Sequence, residues 1–190
     1  MKATKHTIVA LVENKPGVLN RIVSKWRQRG FNIESLAVGH SEIQGLSRMT
    51  FVLDGTTSDV EQVTKQLYKV VDIVKISDLA EDEIVTRELA LLKVNATDQN
   101  RSAIIELVDI FRGEIIDVSP DALVVEITGT EDKVDSAVEM LKVYGIREMA
   151  RTGRVAVTRG RATTTVEDEG AGSRRYRSAG QGKPRVGSLL

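Results

Sequence analysis

The sequence predicts an α+β protein made of two ferredoxin-like βαββαβ domains with a tail behind them. One order of elements (strand, helix, two strands, helix, strand) is spelled over residues 5–79 and again over 80–159. That order describes a four-stranded antiparallel sheet with both helices on one side. Composition agrees, because 190 residues with 41% hydrophobic content supply one large core or two small ones.

Each element follows from its pattern. Thr7 to Val12 is an almost unbroken apolar run rich in β-branched residues, which predicts a strand covered on both faces. Beyond Asn14-Lys15-Pro16-Gly17, the residues Val18, Leu19, Ile22, Val23 and Trp26 share one helical face, and Gly30 ends that helix. Phe31 to Val38 and Ser47 to Leu53 read as strands. Ser58 with Glu61 spells a capping box for a second helix carrying Val60, Val63 and Leu67, and Val71 to Ile76 closes the first half. An acidic connection, Leu79 to Val85, leads to a strand at Glu88 to Val94. The helix bearing Ile104, Ile105, Val108 and Phe111 is expected to stop at Gly113. Ser119-Pro120-Asp121 turns a hairpin between Glu114 to Val118 and Leu123 to Thr128. Thr130 caps the last helix, and Ile146 to Ala150 is the last strand.

Residues 160–190 differ in kind. They hold six of the fifteen glycines and six basic residues against three acidic, with eight apolar residues in thirty-one. Too little apolar surface is available to offset ordering, so this segment is expected to be a disordered, solvated tail of net charge +3.

Whole classes of function are disfavoured. Twenty-seven basic residues balance twenty-seven acidic ones, leaving no field to gather nucleic acid or membrane. The absence of cysteine removes disulfides, thiolate nucleophiles and sulfur-ligated zinc. No apolar stretch approaches the roughly 20 residues of a membrane span, and nothing resembles a secretory signal, so a cytoplasmic location is expected. His6 and His40 lack the partners of a metal set, and Gly129-Thr130-Glu131-Asp132-Lys133 lacks P-loop spacing. RNA-recognition modules share the topology but stack bases on aromatic residues of the central strands. Here those strands offer only Phe51.

What remains is the first strand-to-helix junction. Unpaired amides and the positive dipole end of a helix suit a carboxylate, and Gly17 brings no Cβ to obstruct it. Asn14 adds an acceptor for an ammonium, and Asn32 offers the same from another direction. Both features also fit ordinary turn chemistry.

Glu13-Asn14-Lys15-Pro16-Gly17-Val18-Leu19 resembles the signature of ACT domains, which bind amino acids on this topology. Arg29-Gly30-Phe31-Asn32-Ile33-Glu34-Ser35-Leu36 narrows the resemblance to the small, regulatory subunits of acetolactate synthase (acetohydroxyacid synthase). Ser47-Arg48-Met49-Thr50, Phe111-Arg112-Gly113-Glu114-Ile115-Ile116-Asp117-Val118 and Ala150-Arg151-Thr152-Gly153 are similar to further blocks of that family, and the resemblance runs from Lys5 to about Gly160. It implies an N-terminal ACT domain, a C-terminal small-subunit domain and no catalytic site. It also implies a separate catalytic (large) subunit, carrying thiamine diphosphate, Mg and FAD, that this chain activates and places under valine feedback inhibition. The effector is expected where two ACT domains meet in a homodimer, on Asn14, Pro16, Gly17, Val18 and Leu19 of one copy and Asn32 and Ile33 of the other. Phe111 and Arg112 are expected to contact the catalytic subunit, although Arg112 equally suits a helix C-terminus. A free-standing ACT sensor controlling another enzyme or transcription is the alternative reading.

Overall fold

The computed structural model describes residues 4–165 and the pair Tyr176–Arg177. The chain divides into two compact units. One holds the described residues up to Val85 together with those from Ala156 onward, and the other is Thr86–Val155.

The first unit runs β1 (Thr4–Glu13), α1 (Val18–Gln28), β2 (Ile33–His40), β3 (Leu46–Gly55), α2 (Thr57–Leu67) and β4 (Ile73–Asp78). Its strands lie in the order β4-β1-β3-β2, all antiparallel, with Tyr176–Arg177 added parallel to the β4 edge. Val18, Ile22 and Trp26 of α1 and Val60, Val63 and Leu67 of α2 pack on Ile8, Ala10 and Val12 of β1 and Met49, Phe51 and Leu53 of β3. The opposite face of β1 is covered too. Val9 and Leu11 are each 1% exposed, and Val9 packs with Leu79, Ala156 and Ile84. Hence the run from Thr7 to Val12 does not alternate.

The second half contributes β5 (Ile84–Asn95), α3 (Arg101–Ile110), β6 (Glu114–Val118), β7 (Ala122–Gly129), α4 (Glu131–Lys142) and β8 (Ile146–Arg151), and β9 (Val155–Thr158) follows where the chain returns to the first unit. The sheet of the second half has the order β6-β7-β5-β8, and β9 pairs with β5. The hairpin closes where Ser119 N donates to Ala122 O at 2.9 Å. Arg151 ties β8 down, donating to the buried Glu88 from Nε at 2.9 Å and Nη2 at 2.6 Å and to Asp135 at 2.6 Å.

Four local expectations need correction. Helix α2 is capped by Thr56, whose hydroxyl accepts from Asp59 N, because extended backbone at Thr56 ends β3 there. Glu61 pairs with Lys65 instead, at 2.8 Å, and the side chain of Ser58 lies outside the described residues. Helix α3 ends at Ile110 with Phe111 as its C-cap, and the residue that stops it is Arg112, not Gly113. Arg112 N bonds Asp109 O at 2.9 Å and Gly113 N bonds Val108 O at 2.8 Å, a Schellman motif with Arg112 at φ 48 in the left-handed place. Gly113 is needed for space, since a Cβ there would lie 2.4 Å from Ile127 Cδ1 and 2.8 Å from Glu126 O. Thr130 takes the cap position of α4 without a side-chain cap bond. Finally, the first residues of the expected tail have fixed partners. Thr164 is buried and accepts from Arg48 Nη1 at 2.6 Å. Residues 166–175 and 178–190 lie outside the described residues.

Two consequences are measurable. Gly113→Ala is expected to cost about 1–3 kcal/mol through overpacking, whereas Arg112→Gly is expected to stabilise by about 1 kcal/mol by relieving the left-handed residue. Chemical denaturation of both variants checks the pair. Tyr68 Oη donates to Ile76 O at 3.2 Å, and burial pushes its pKa up to about 12. Because the folded value lies above the unfolded one, the stabilisation is complete below pH 10 and is lost as pH rises through about 12. Ultraviolet titration should show one late tyrosinate step coinciding with loss of circular dichroism.

His6 and Asp78 form a buried pair, Nδ1 to Oδ2 at 2.9 Å, with His6 Nε2 lacking a partner. Removing Asp78 would strand a buried imidazole.

Candidate effector site

The junction between β1 and α1 is held at its base by backbone. Glu13 N donates to Asp72 O and Asn14 N to Gly45 O, both at 2.8 Å. Gly17, at φ 84, is the cap residue of α1, and it makes no side-chain cap bond. In that conformation an added Cβ would meet nothing within 4 Å. Val18 N reaches Lys15 O at 3.4 Å, and Arg21 N bonds Gly17 O at 3.1 Å. The amides of Gly17, Leu19 and Asn20 meet no acceptor among the described residues. These are the orphan donors of a helix start, aimed where the dipole is positive.

The loop's own charges cancel. Lys15 Nζ donates to Glu13 Oε2 at 2.7 Å, and that bond holds the ammonium above its ordinary pKa. The net attraction for an anion therefore comes from backbone.

Not every expected residue presents a side chain to a ligand. Asn14, Pro16 and Gly17 are exposed and Leu19 is 37% exposed, but Val18 is buried in the core, so only its backbone can serve. Asn32 is exposed just before β2, and Ile33 is half-buried against the first core. Strand register separates these two groups. Glu13 lies opposite Leu46 on β3, whereas Ile33 lies opposite Leu53. Seven residues of strand put Asn32 about 24 Å along the sheet from the loop at ~3.4 Å per residue.

Residues 14–19 line neither of two cavities found in this unit. One of about 270 Å³ lies beside Arg29, Gly30 and Phe31, and one of about 540 Å³ lies beside Asn20, Arg21 and Asp72. With Asn14 to Gly17 exposed and nothing within 4 Å of a Cβ added at Gly17, the loop of a single chain is an open cradle, whereas small-molecule sites are concave and enclose most of the ligand.

In the second unit, Phe111 packs half-buried on the core and Arg112 is exposed. Phe51 is buried toward the helices. Among the described residues no group of three or more His, Asp or Glu is placed to hold a metal ion, and no helix is long and apolar enough to cross a membrane. What sequence reasoning missed is the contact of Gly45 with Asn14. A glycine in a polar loop between two strands was its only signal.

Comparison with known proteins gives a consistent result. The family model described as "AHAS small subunit-like ACT domain" matches residues 8–75, and that described as "Small subunit of acetolactate synthase" matches residues 87–160. The "Probable acetolactate synthase small subunit" of Archaeoglobus fulgidus is 53% identical over 156 residues, covering 82% of this chain and 98% of that protein. The acetolactate synthase small subunit of Mycolicibacterium smegmatis is 50% identical over 155 residues, covering 82% and 91%. The crystal structure of the small subunit from Thermotoga maritima superposes with a TM-score of 0.78 at 42% identity, covering 84% of this chain and 99% of that one. With both halves matched in order and relatives aligned along nearly their whole length, the chain belongs to the acetolactate synthase small-subunit family, as a non-catalytic regulatory subunit that associates with the large subunit and regulates branched-chain amino acid biosynthesis.

Proposed function

We propose that this chain senses valine at a site shared by two copies, and that occupancy turns down the catalytic subunit which the empty dimer activates. The ligand's carboxylate receives the free amides of Gly17, Leu19 and Asn20. Asn14 of the same copy and Asn32 of the second copy meet its ammonium, with Pro16 and Ile33 bounding the side chain. The unit after Val85 engages the catalytic chain, with Phe111 and Arg112 at the contact, and that chain holds thiamine diphosphate, Mg and FAD, of which thiamine diphosphate supplies the carbon–carbon bond chemistry.

The observation that carries this reading is the open set of three amides at Gly17, Leu19 and Asn20. The 24 Å offset of Asn32 supports the second copy, since antiparallel docking of two edge strands β2 sets the start of one beside the end of the other, which opposes Ser47 next to the loop.

Burying valine's branched side chain contributes about 1.5–3 kcal/mol. Inhibition requires that the gain differ between two states of the assembly, because equal affinity shifts nothing. One methylene discriminates by only about 1–3 kcal/mol, so leucine and isoleucine are expected to act at higher concentration. The test is synthase activity of the catalytic chain with and without this one across a valine titration. Activation that saturating valine reverses supports the reading. Activation indifferent to every branched-chain amino acid contradicts it.

A further inference from the structure

We propose that the segment Gly160–Thr165 is a strap that positions the effector loop, acting through Glu42. The inference rests on the reading of that loop as an effector site.

The strap lies against the first unit at three points. Thr164, 4% exposed, accepts from Arg48 Nη1 at 2.6 Å. The Thr165 carbonyl accepts from Lys75 Nζ, and the Thr165 hydroxyl donates to Glu42 Oε1. Thr158 Oγ1 donates to Ala162 O, which curls the segment back after β9. Arg48 and Lys75 both lie opposite Leu11, on β3 and β4, so strap and sheet meet over the far face of β1.

Glu42 continues the path. Its second oxygen accepts from Ser41 Oγ at 3.0 Å, and Arg48 Nη2 stands 3.8 Å from the first. The Thr165 bond, with those from the loop itself, keeps the carboxyl below its ordinary pKa and hence charged. Glu42 sits in the turn Ser41–Gly45, which Ser41 N closes onto Leu46 O at 3.0 Å. Gly45, in the left-handed region at φ 83, has nothing within 4 Å of where a Cβ would stand. Its carbonyl accepts from Asn14 N at 2.8 Å. An exposed turn of this kind is held mainly by the bonds at its base. The strap adds a fixed point, and the turn passes it to the first residue of the effector loop. Glu42 and Thr165 are therefore positioning residues, neither of which touches the ligand.

The experiment uses the full chain with its catalytic subunit. Glu42→Ala and Thr165→Val are compared with Glu61→Gln, which alters a surface pair on α2. Loss of one such hydrogen bond corresponds to about a three- to tenfold rise in the valine concentration for half-inhibition. Maximal inhibition and activation without valine should stay as in the parent, and Glu61→Gln should change neither. Hydrogen exchange supplies an independent readout: protection of the Asn14 amide should fall in both variants while that of Val9 persists. Half-inhibition within about twofold of the parent, with Asn14 protection intact, overturns the strap while leaving the effector site standing. If the parent itself ignores valine, the effector reading fails, and the exchange arm still decides whether the strap holds Asn14.

Discussion

Replacing Gly17 with aspartate is expected to leave the chain folded and activating but deaf to valine. An added Cβ at Gly17 meets nothing within 4 Å, so the side chain has room. The backbone at φ 84 strains an L-residue, although aspartate is among those that tolerate it best. The functional cost is larger. A second carboxylate takes the position of the ligand's own and competes for the amides of Leu19 and Asn20. Each charge-assisted hydrogen bond lost is worth about 1.5–3 kcal/mol, before any like-charge repulsion, so half-inhibition should rise by at least about 100-fold. Gly17→Ala carries the strain without the charge and should give an intermediate shift. Inhibition assays on both variants, with circular dichroism to verify folding, check the prediction. A folded Gly17→Asp chain that is still fully inhibited means the ligand lies elsewhere.

Trp26→Ala should damage the same site through the core. Trp26 is fully buried, edge-on to Phe31 at 5.7 Å and tilted against Phe51 at 6.0 Å. It also anchors the end of α1. Gly30 N bonds Arg27 O at 3.0 Å and Phe31 N bonds Trp26 O at 3.2 Å, so the Trp26–Phe31 contact is the apolar clasp of a Schellman motif. Phe31 leads directly into Asn32. Truncation should cost about 3–5 kcal/mol and lower the melting temperature by roughly 10 °C or more. Valine response should weaken along with stability. Trp26→Phe should lose far less, because the ring stays and the partnerless indole N–H disappears. Scanning calorimetry of the two variants separates packing from local chemistry. Equal losses would show that the indole, not the clasp, matters.

The parts of this molecule that were legible in sequence are those governed by local pattern. Val18, Ile22 and Trp26 fall on one helical face and are buried together. Gly30 ends α1 in the left-handed conformation that its place predicts. The same logic misplaced the end of α3, because Gly113 is required by Ile127 and Glu126, residues distant in sequence, and Arg112 is left to make the turn. Thr56 and Ser58 both satisfy a capping pattern, and only the end of β3 chooses between them. The partners of Thr164 and Thr165 were illegible because the largely polar segment Arg161 to Thr165 carries no periodicity; its order comes from Arg48, Lys75 and Glu42 on other elements. Strand β9 is a short apolar run that lies beyond the repeated order of elements. For the candidate site, the loop from Asn14 to Leu19 could be read from residue chemistry. The distance from that loop to Asn32 depends on register, which no local pattern states.

That distance leads to the most direct test, a mixed dimer joining a Gly17→Asp copy to an Asn32→His copy. Such a dimer retains one intact site, built from the unaltered loop of the second copy and the unaltered Asn32 of the first. Titration calorimetry should show that neither variant alone binds valine with parental affinity, whereas the mixed dimer recovers that affinity at half the parental stoichiometry. A mixed dimer as defective as its two parents would contradict a site shared between copies.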